Sequence, residues 1–119
     1  MHTTIDARTH GILDYVTVAV FALAPIVLGM TGLAATISYA LAAVHLGMTL
    51  ATAFPMGVGA LVPFPLHGKV ELGVGIALVV IGIFDVVPAP GWVFFLAMGT
   101  LILAIWALTD YATPVSARV

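Results

Sequence analysis

Two short stretches decide how this chain folds: "RTHGILDY" at Arg8–Tyr15 and "PLHGKVEL" at Pro65–Leu72. Each sets His-Gly ahead of an acidic residue four positions after the His, pairing His10 with Asp14 and His67 with Glu71. Each then leads into a long apolar run. Laying His10, Gly11 and Asp14 on His67, Gly68 and Glu71 gives an offset of 57 residues, and the same offset lays Thr52 on Thr109. The chain therefore reads as a duplicated two-helix unit, with repeat 1 at about 9–54 and repeat 2 at about 66–111.

Composition names the solvent. Of 119 residues, 63% are hydrophobic and 7% charged, against roughly 25% charged in soluble domains. A soluble core cannot absorb that excess, so the expected solvent is lipid. Cysteine is absent, which excludes disulfides and thiolate metal sites. Three basic residues, Arg8, Lys69 and Arg118, argue against nucleic-acid binding. The run Val16–Leu28 has the length of a signal-peptide core. Asp6 and Asp14 beside Arg8 make a poor basic leader, and Pro25 follows the "ALA" at 22–24 directly. The run is expected to be a retained span.

A membrane-crossing helix needs about 20 mainly apolar residues. Four runs qualify: Gly11–Gly29, Ala34–Phe54, Gly68–Val87 and Trp92–Thr109. They are broken by "GMTG" at 29–32, "FPMGVGALVPFP" at 54–65 and "VPAPG" at 87–91, where Gly and Pro interrupt helices. Lipid cannot satisfy backbone polar groups, so each span must pair them internally. The alternation of a β-barrel is missing. The expected fold is an all-α membrane protein with four transmembrane helices, arranged as two parallel two-helix repeats about an axis along the membrane normal. Arg8, Lys69 and Arg118 share one face, while loops 30–33 and 88–91 carry no Lys or Arg. The positive-inside rule puts both termini and the 55–66 loop in the cytoplasm. Tyr15, Trp106 and Tyr111 would form an aromatic belt on that side, and Trp92 on the other.

The doubled His-x-x-x-acid resembles the SPW repeat family of small bacterial membrane proteins, whose two-span repeats carry similar "HGxLDY" and "HxxxD" helix heads. In this chain "APIVLG" at 24–29 keeps the Pro and trailing Gly of the family's namesake motif without its Ser or Trp, and "IGIFD" at 81–85 keeps none of it. The resemblance implies a four-helix bundle in a bacterial inner membrane. It implies no activity.

Residues i and i+4 of a helix lie on one face. If the first and third helices meet, His10, Asp14, His67 and Glu71 converge into a set suited by ligand type to Zn, Fe or Mn. Parallel and diagonal placements of those helices both fit the sequence. A structural reading stands beside the metal one. Thr9 or His10 would cap the first helix. Asp14 and Glu71 would sit in first turns, where the helix dipole favours negative charge by about 0.3–1 kcal/mol. They would also reach Arg8, Lys69 or Arg118. Proton or ion handling is the third reading.

His45 falls near the centre of the second span, roughly 13–15 Å deep at 1.5 Å per residue. Ionisable residues at such depth usually face the bundle interior and mark function. Ser38, Ala42, His45, Thr49 and Thr52 follow helical spacing and form a small, polar stripe. Ala43, Gly47 and Ala51 form a small-residue ridge of the kind that lets helices approach closely, within the bundle, against a second copy or against a foreign subunit. His45 would be either a neutral imidazole hydrogen-bonded to a Ser, Thr or carbonyl, or a single axial ligand for haem or a pigment. A second axial His is not expected, because His10 and His67 lie about two turns shallower and His2 lies outside the spans. A ladder of Asp14 and Glu71, His45 and Asp85 would carry protons only across wide gaps. No phosphate loop, nucleophile triad or HExxH motif supports enzyme chemistry. The expected role is structural or accessory, as a subunit of a membrane assembly or a homo-oligomer in the lipid bilayer. Metal, haem or pigment binding and a proton or ion conduit are the alternatives. No cofactor is required by the sequence, with a divalent metal or a tetrapyrrole as the alternatives.

Overall fold

The computed structural model describes residues 4–112, so His2 and Arg118 lie outside the described residues. Four helices follow in order: α1 Ala7–Leu28, α2 Gly32–Ala51, α3 Phe64–Ile83 and α4 Gly91–Leu108. All four, 18 to 22 residues long, are long and apolar enough to cross a membrane. At 1.5 Å per residue they run about 27–33 Å, the thickness of a bilayer's hydrocarbon core.

The ends differ from the sequence reading. Helix α1 starts at Ala7 because the Asp6 carboxylate accepts the Thr9 N–H at 2.8 Å. Asp6 is the cap, in place of Thr9 or His10. Helix α3 starts at Phe64, with Pro65 in its first turn, where the missing N–H costs nothing. Asp14 and Glu71 therefore sit two turns inside their helices, and the dipole account lapses, since that effect fades beyond the first turn. Helix α1 ends at Gly29, which takes a left-handed φ of 68°. Helix α2 ends at Ala51, where the chain turns extended, and Thr52–Ala53 (β1) pairs in parallel with Val62–Pro63 (β2). Ile5 bridges to Thr109 in parallel in the same way.

Helix α1 packs chiefly on α2, and α3 on α4. The closest approach is between α3 and α4. A Cβ on Gly99 would stand 2.8 Å from the Val79 nitrogen and 2.9 Å from the Gly75 oxygen, and one on Gly75 would strike Leu103. The ridge expected on α2 makes no such contact inside the bundle: Ala43 and Gly47 are exposed, Ala51 is half-buried, and a Cβ on Gly47 would meet no packed neighbour within 4 Å among the described residues. One end of the interior is apolar, built on Phe21, Leu78, Phe95, Met98 and Ile102. The outer faces carry exposed Ile12, Val16, Leu23, Ile26 and Val27 on α1 and Val44 and Leu46 on α2, as surfaces bathed in lipid do.

Pro25 and Ser38 tie α1 to α2. Proline lacks the N–H that would bond the carbonyl four residues back, which is Phe21. The Ser38 hydroxyl donates to that carbonyl at 2.6 Å. A backbone acceptor freed by proline is satisfied from the neighbouring helix. Ser38 thus serves the helix pair and stands apart from the histidines.

Candidate functional site

The other end of the interior is polar. His10, Asp14, His67 and Glu71 meet there, fully or almost fully buried, with one ligand atom from each lying within 4.8 Å of all the others. Helices α1 and α3 therefore touch at this level. The contacts between helices are as short as those within them. His10 Nε2 lies 2.8 Å from Glu71 Oε2 and 3.3 Å from Asp14 Oδ1. His67 Nε2 lies 3.0 Å from Asp14 Oδ2 and 3.1 Å from Glu71 Oε1. Arg8 and Lys69 are exposed at the same end, and both carboxylates turn inward to the imidazoles.

His45 joins this group, and its expected isolation is overturned. Its Nε2 stands 3.4 Å from Asp14 Oδ1 and 3.6 Å from Glu71 Oε1. It lies six residues from the end of α2, and Asp14 seven residues from the start of α1. The two helices run antiparallel, so the residues share one depth. The gap in the titratable ladder disappears, while Asp85 lies exposed beyond the far end of α3, outside the cluster. Thr49 is fully buried, yet its hydroxyl makes no hydrogen bond among the described residues.

Two threonines set the histidines' chemistry. The Thr109 hydroxyl donates its single proton to the Ile105 carbonyl at 2.6 Å, so toward His10 Nδ1, 2.8 Å away, it can only accept. The Thr52 hydroxyl likewise donates to the Met48 carbonyl at 2.6 Å and accepts from His67 Nδ1 at 2.7 Å. Both imidazoles must carry a proton on Nδ1. In each neutral ring Nε2 then holds a lone pair aimed at the carboxylates. A lone pair facing a carboxylate oxygen needs a cation between them, which is a metal ion or, where the ring is an imidazolium, a second proton on Nε2. His10 Nε2 and Asp14 Oδ2 lie close to their neighbours without forming a directed hydrogen bond, whereas His67 Nε2 meets Glu71 Oε1 at 3.1 Å in hydrogen-bond geometry.

An aromatic lid covers the end of the cluster nearest the starts of α1 and α3. Phe54 and Phe64 pack with ring centres 5.3 Å apart, Phe64 and Tyr111 at 4.8 Å, and Phe64 lies edge-on to His10 at 5.4 Å. Tyr111 is half-buried over the cluster, with its hydroxyl donating to Glu71 Oε2 at 3.4 Å. Burial, then the nearby Glu71 carboxylate, pushes the Tyr111 phenol above its ordinary range, so it remains a neutral donor. Tyr15 closes the loop side by donating to the Met56 carbonyl at 2.8 Å. Gly68 lets Tyr111 lie flat: a Cβ there would meet the ring at 2.7 Å.

Beneath the cluster is a cavity of about 10 Å³, lined by Asp14, Thr17, His45, Glu71, Ile102 and Ile105. Ligand pockets run to about 300–1,000 Å³, so this space cannot take a tetrapyrrole beside His45. Thr109, Tyr111, Phe54 and Phe64 are the members the sequence reading left out of the site. The echo of Thr52 at Thr109 was the signal that could have found the first of them.

Compared with known protein families, with curated proteins and with solved structures, the chain matches none.

Proposed function

We propose that this protein is a small integral membrane metalloprotein that holds one divalent first-row metal ion between its two helix pairs. The observation that carries this reading is the pair of threonine hydroxyls. By accepting from Nδ1, they turn the Nε2 lone pairs of His10 and His67 toward two buried carboxylates. A partner that fixes the far nitrogen and orients the ring is what metal-binding histidines need. His10, His67 and His45 would bind through Nε2, and Asp14 and Glu71 through oxygen. The charge balances, with two carboxylates, neutral imidazoles and one divalent ion. Buried charges are tolerated when they are paired or coordinate metals. Distances support a single ion: with bonds of about 2.1 Å, neighbouring ligand atoms lie about 3.0 Å apart in an octahedron and about 3.4 Å apart in a tetrahedron, and the contacts here run from 2.8 to 3.6 Å. Nitrogen and carboxylate donors suit Zn, Fe or Mn. A bound ion would supply Lewis acidity at this depth.

The duplication belongs to the same proposal, together with the SPW repeat resemblance and the cytoplasmic placement of the Arg8 and Lys69 end. Its support is that crossed contacts recur at the offset of 57: Thr109 on His10 and Thr52 on His67, Ile5 on Thr109 and Val62 on Thr52. Helices α1 and α3 start 57 apart, and α2 and α4 end 57 apart. Burial recurs in the same way at Phe21 and Leu78, Ala34 and Gly91, and Ala42 and Gly99.

Metal analysis and titration of protein purified in mild detergent test the reading. One equivalent of Mn²⁺, Co²⁺ or Zn²⁺ should bind, and His10→Ala or Asp14→Asn should abolish it. Wild-type protein that binds none of the three overturns it. A second reading, a subunit role in a larger assembly or a homo-oligomer, draws support from the outward ridge of Ala43 and Gly47. Purification as a lone monomer at native expression would sink it.

A further inference from the structure

We infer that the metal centre is lopsided and keeps one coordination position open on its deep side, between His45 and Ile102, for a ligand the size of water. This rests on the metal reading above.

Two departures from the internal repeat meet at this place. Position 45 is His, while its counterpart 57 residues later is Ile102. Both are buried, at 5% and 4% exposure, so one half supplies a nitrogen where the other supplies hydrocarbon. Thr17 is likewise matched by Val74. Four donors from the helix heads and His45 therefore leave the side toward Ile102 without a protein ligand.

That side is not filled. The cavity of about 10 Å³ touches both carboxylates and His45, and its other walls are Thr17, Ile102 and Ile105. A volume of roughly 10–15 Å³ of this kind holds about one water. Thr17 supplies the remaining polar contact. Its hydroxyl donates to the Leu13 carbonyl at 2.8 Å, which leaves its oxygen free to accept from a ligand bearing a proton. The class of ligand is therefore water or hydroxide, replaceable by a monatomic anion of similar size. The two isoleucines exclude longer ligands. Catalytic and ligand-binding metal sites differ from structural ones by such an open position.

The test uses full-length, Co²⁺-loaded protein in detergent and reads the Co²⁺ absorption bands during titration with fluoride and with azide. Fluoride should shift the wild-type bands saturably, and azide should act weakly. Ile102→Ala enlarges the cavity and should strengthen azide binding by about tenfold or more. A Co²⁺ spectrum that fluoride leaves unmoved overturns the open position while the metal centre stands. An Ile102→Ala protein that binds Co²⁺ without gaining azide affinity overturns its location. Absence of any Co²⁺ spectrum from wild type removes the metal centre itself.

Discussion

At the scale of single residues, the proposed metal site depends on hydroxyls that would not touch the ion. Thr52 and Thr109 each spend their proton on a carbonyl of their own helix, at 2.6 Å in both cases. Valine at either position keeps the shape and removes the acceptor. The histidine can then take the other tautomer, with a proton on Nε2 where the proposed metal would bind. Outer partners of metal-bound histidines typically change affinity by about 10–100-fold. Thr109→Val and Thr52→Val should each weaken metal binding by that range, as read by competition with a chelator, while the helical circular dichroism stays unchanged. Serine at either place should restore most of the affinity. The i, i+4 pairing of His with its acid was legible in the sequence; the two threonines were not. The His10–Thr109 contact joins residues 99 apart, which no local spacing can report.

At the scale of the helices, two contacts can be weighed. Removing the Ser38 hydroxyl leaves the Phe21 carbonyl without a partner beside Pro25. Ser38→Ala should cost about 1 kcal/mol, in the range of hydrogen bonds between membrane helices. In the Pro25→Ala background the cost should shrink, because the restored N–H of residue 25 takes that carbonyl. A double-mutant cycle of unfolding free energies checks it. Glycines divide the same way. Gly99→Ala drives a methyl into the backbone of α3 and should destabilise by about 1–3 kcal/mol. Gly47→Ala meets nothing within 4 Å and should stay within about 0.5 kcal/mol, read as a melting temperature. Composition found both sets of small residues. Which set lies at a helix contact depends on how each helix is rotated, and neighbours outside the helix decide that.

At the scale of the whole molecule, the site staples the two hairpins. Helix α1 supplies His10 and Asp14, α2 His45, and α3 His67 and Glu71, while the residue following α4 supplies Thr109. A ligand that binds only the folded state adds RT ln(1 + [L]/Kd), about 2.7 kcal/mol at a hundredfold excess over Kd. Chelation should therefore lower the melting temperature of metal-loaded wild type, and Zn²⁺ should restore it. The Asp14→Asn protein should respond to neither.

The depth of His45 shows where sequence reasoning stops. The reading began α1 at Gly11 rather than Ala7 and ended α2 at Phe54 rather than Ala51. These errors of about 6 Å and about 4.5 Å add, because the helices are antiparallel, and they separate His45 from Asp14 by about two turns. The sequence by itself determined four helices long and apolar enough to cross a membrane, their order, and the inward face of α2. Those follow from composition and from a helical period that runs along one segment. Only the tertiary structure decided that three histidines and two carboxylates meet, that threonines orient two of the rings, and that the α2 ridge faces outward. These facts depend on the register and rotation of helices against one another, which are set by caps, close glycine contacts and bonds between distant parts of the chain.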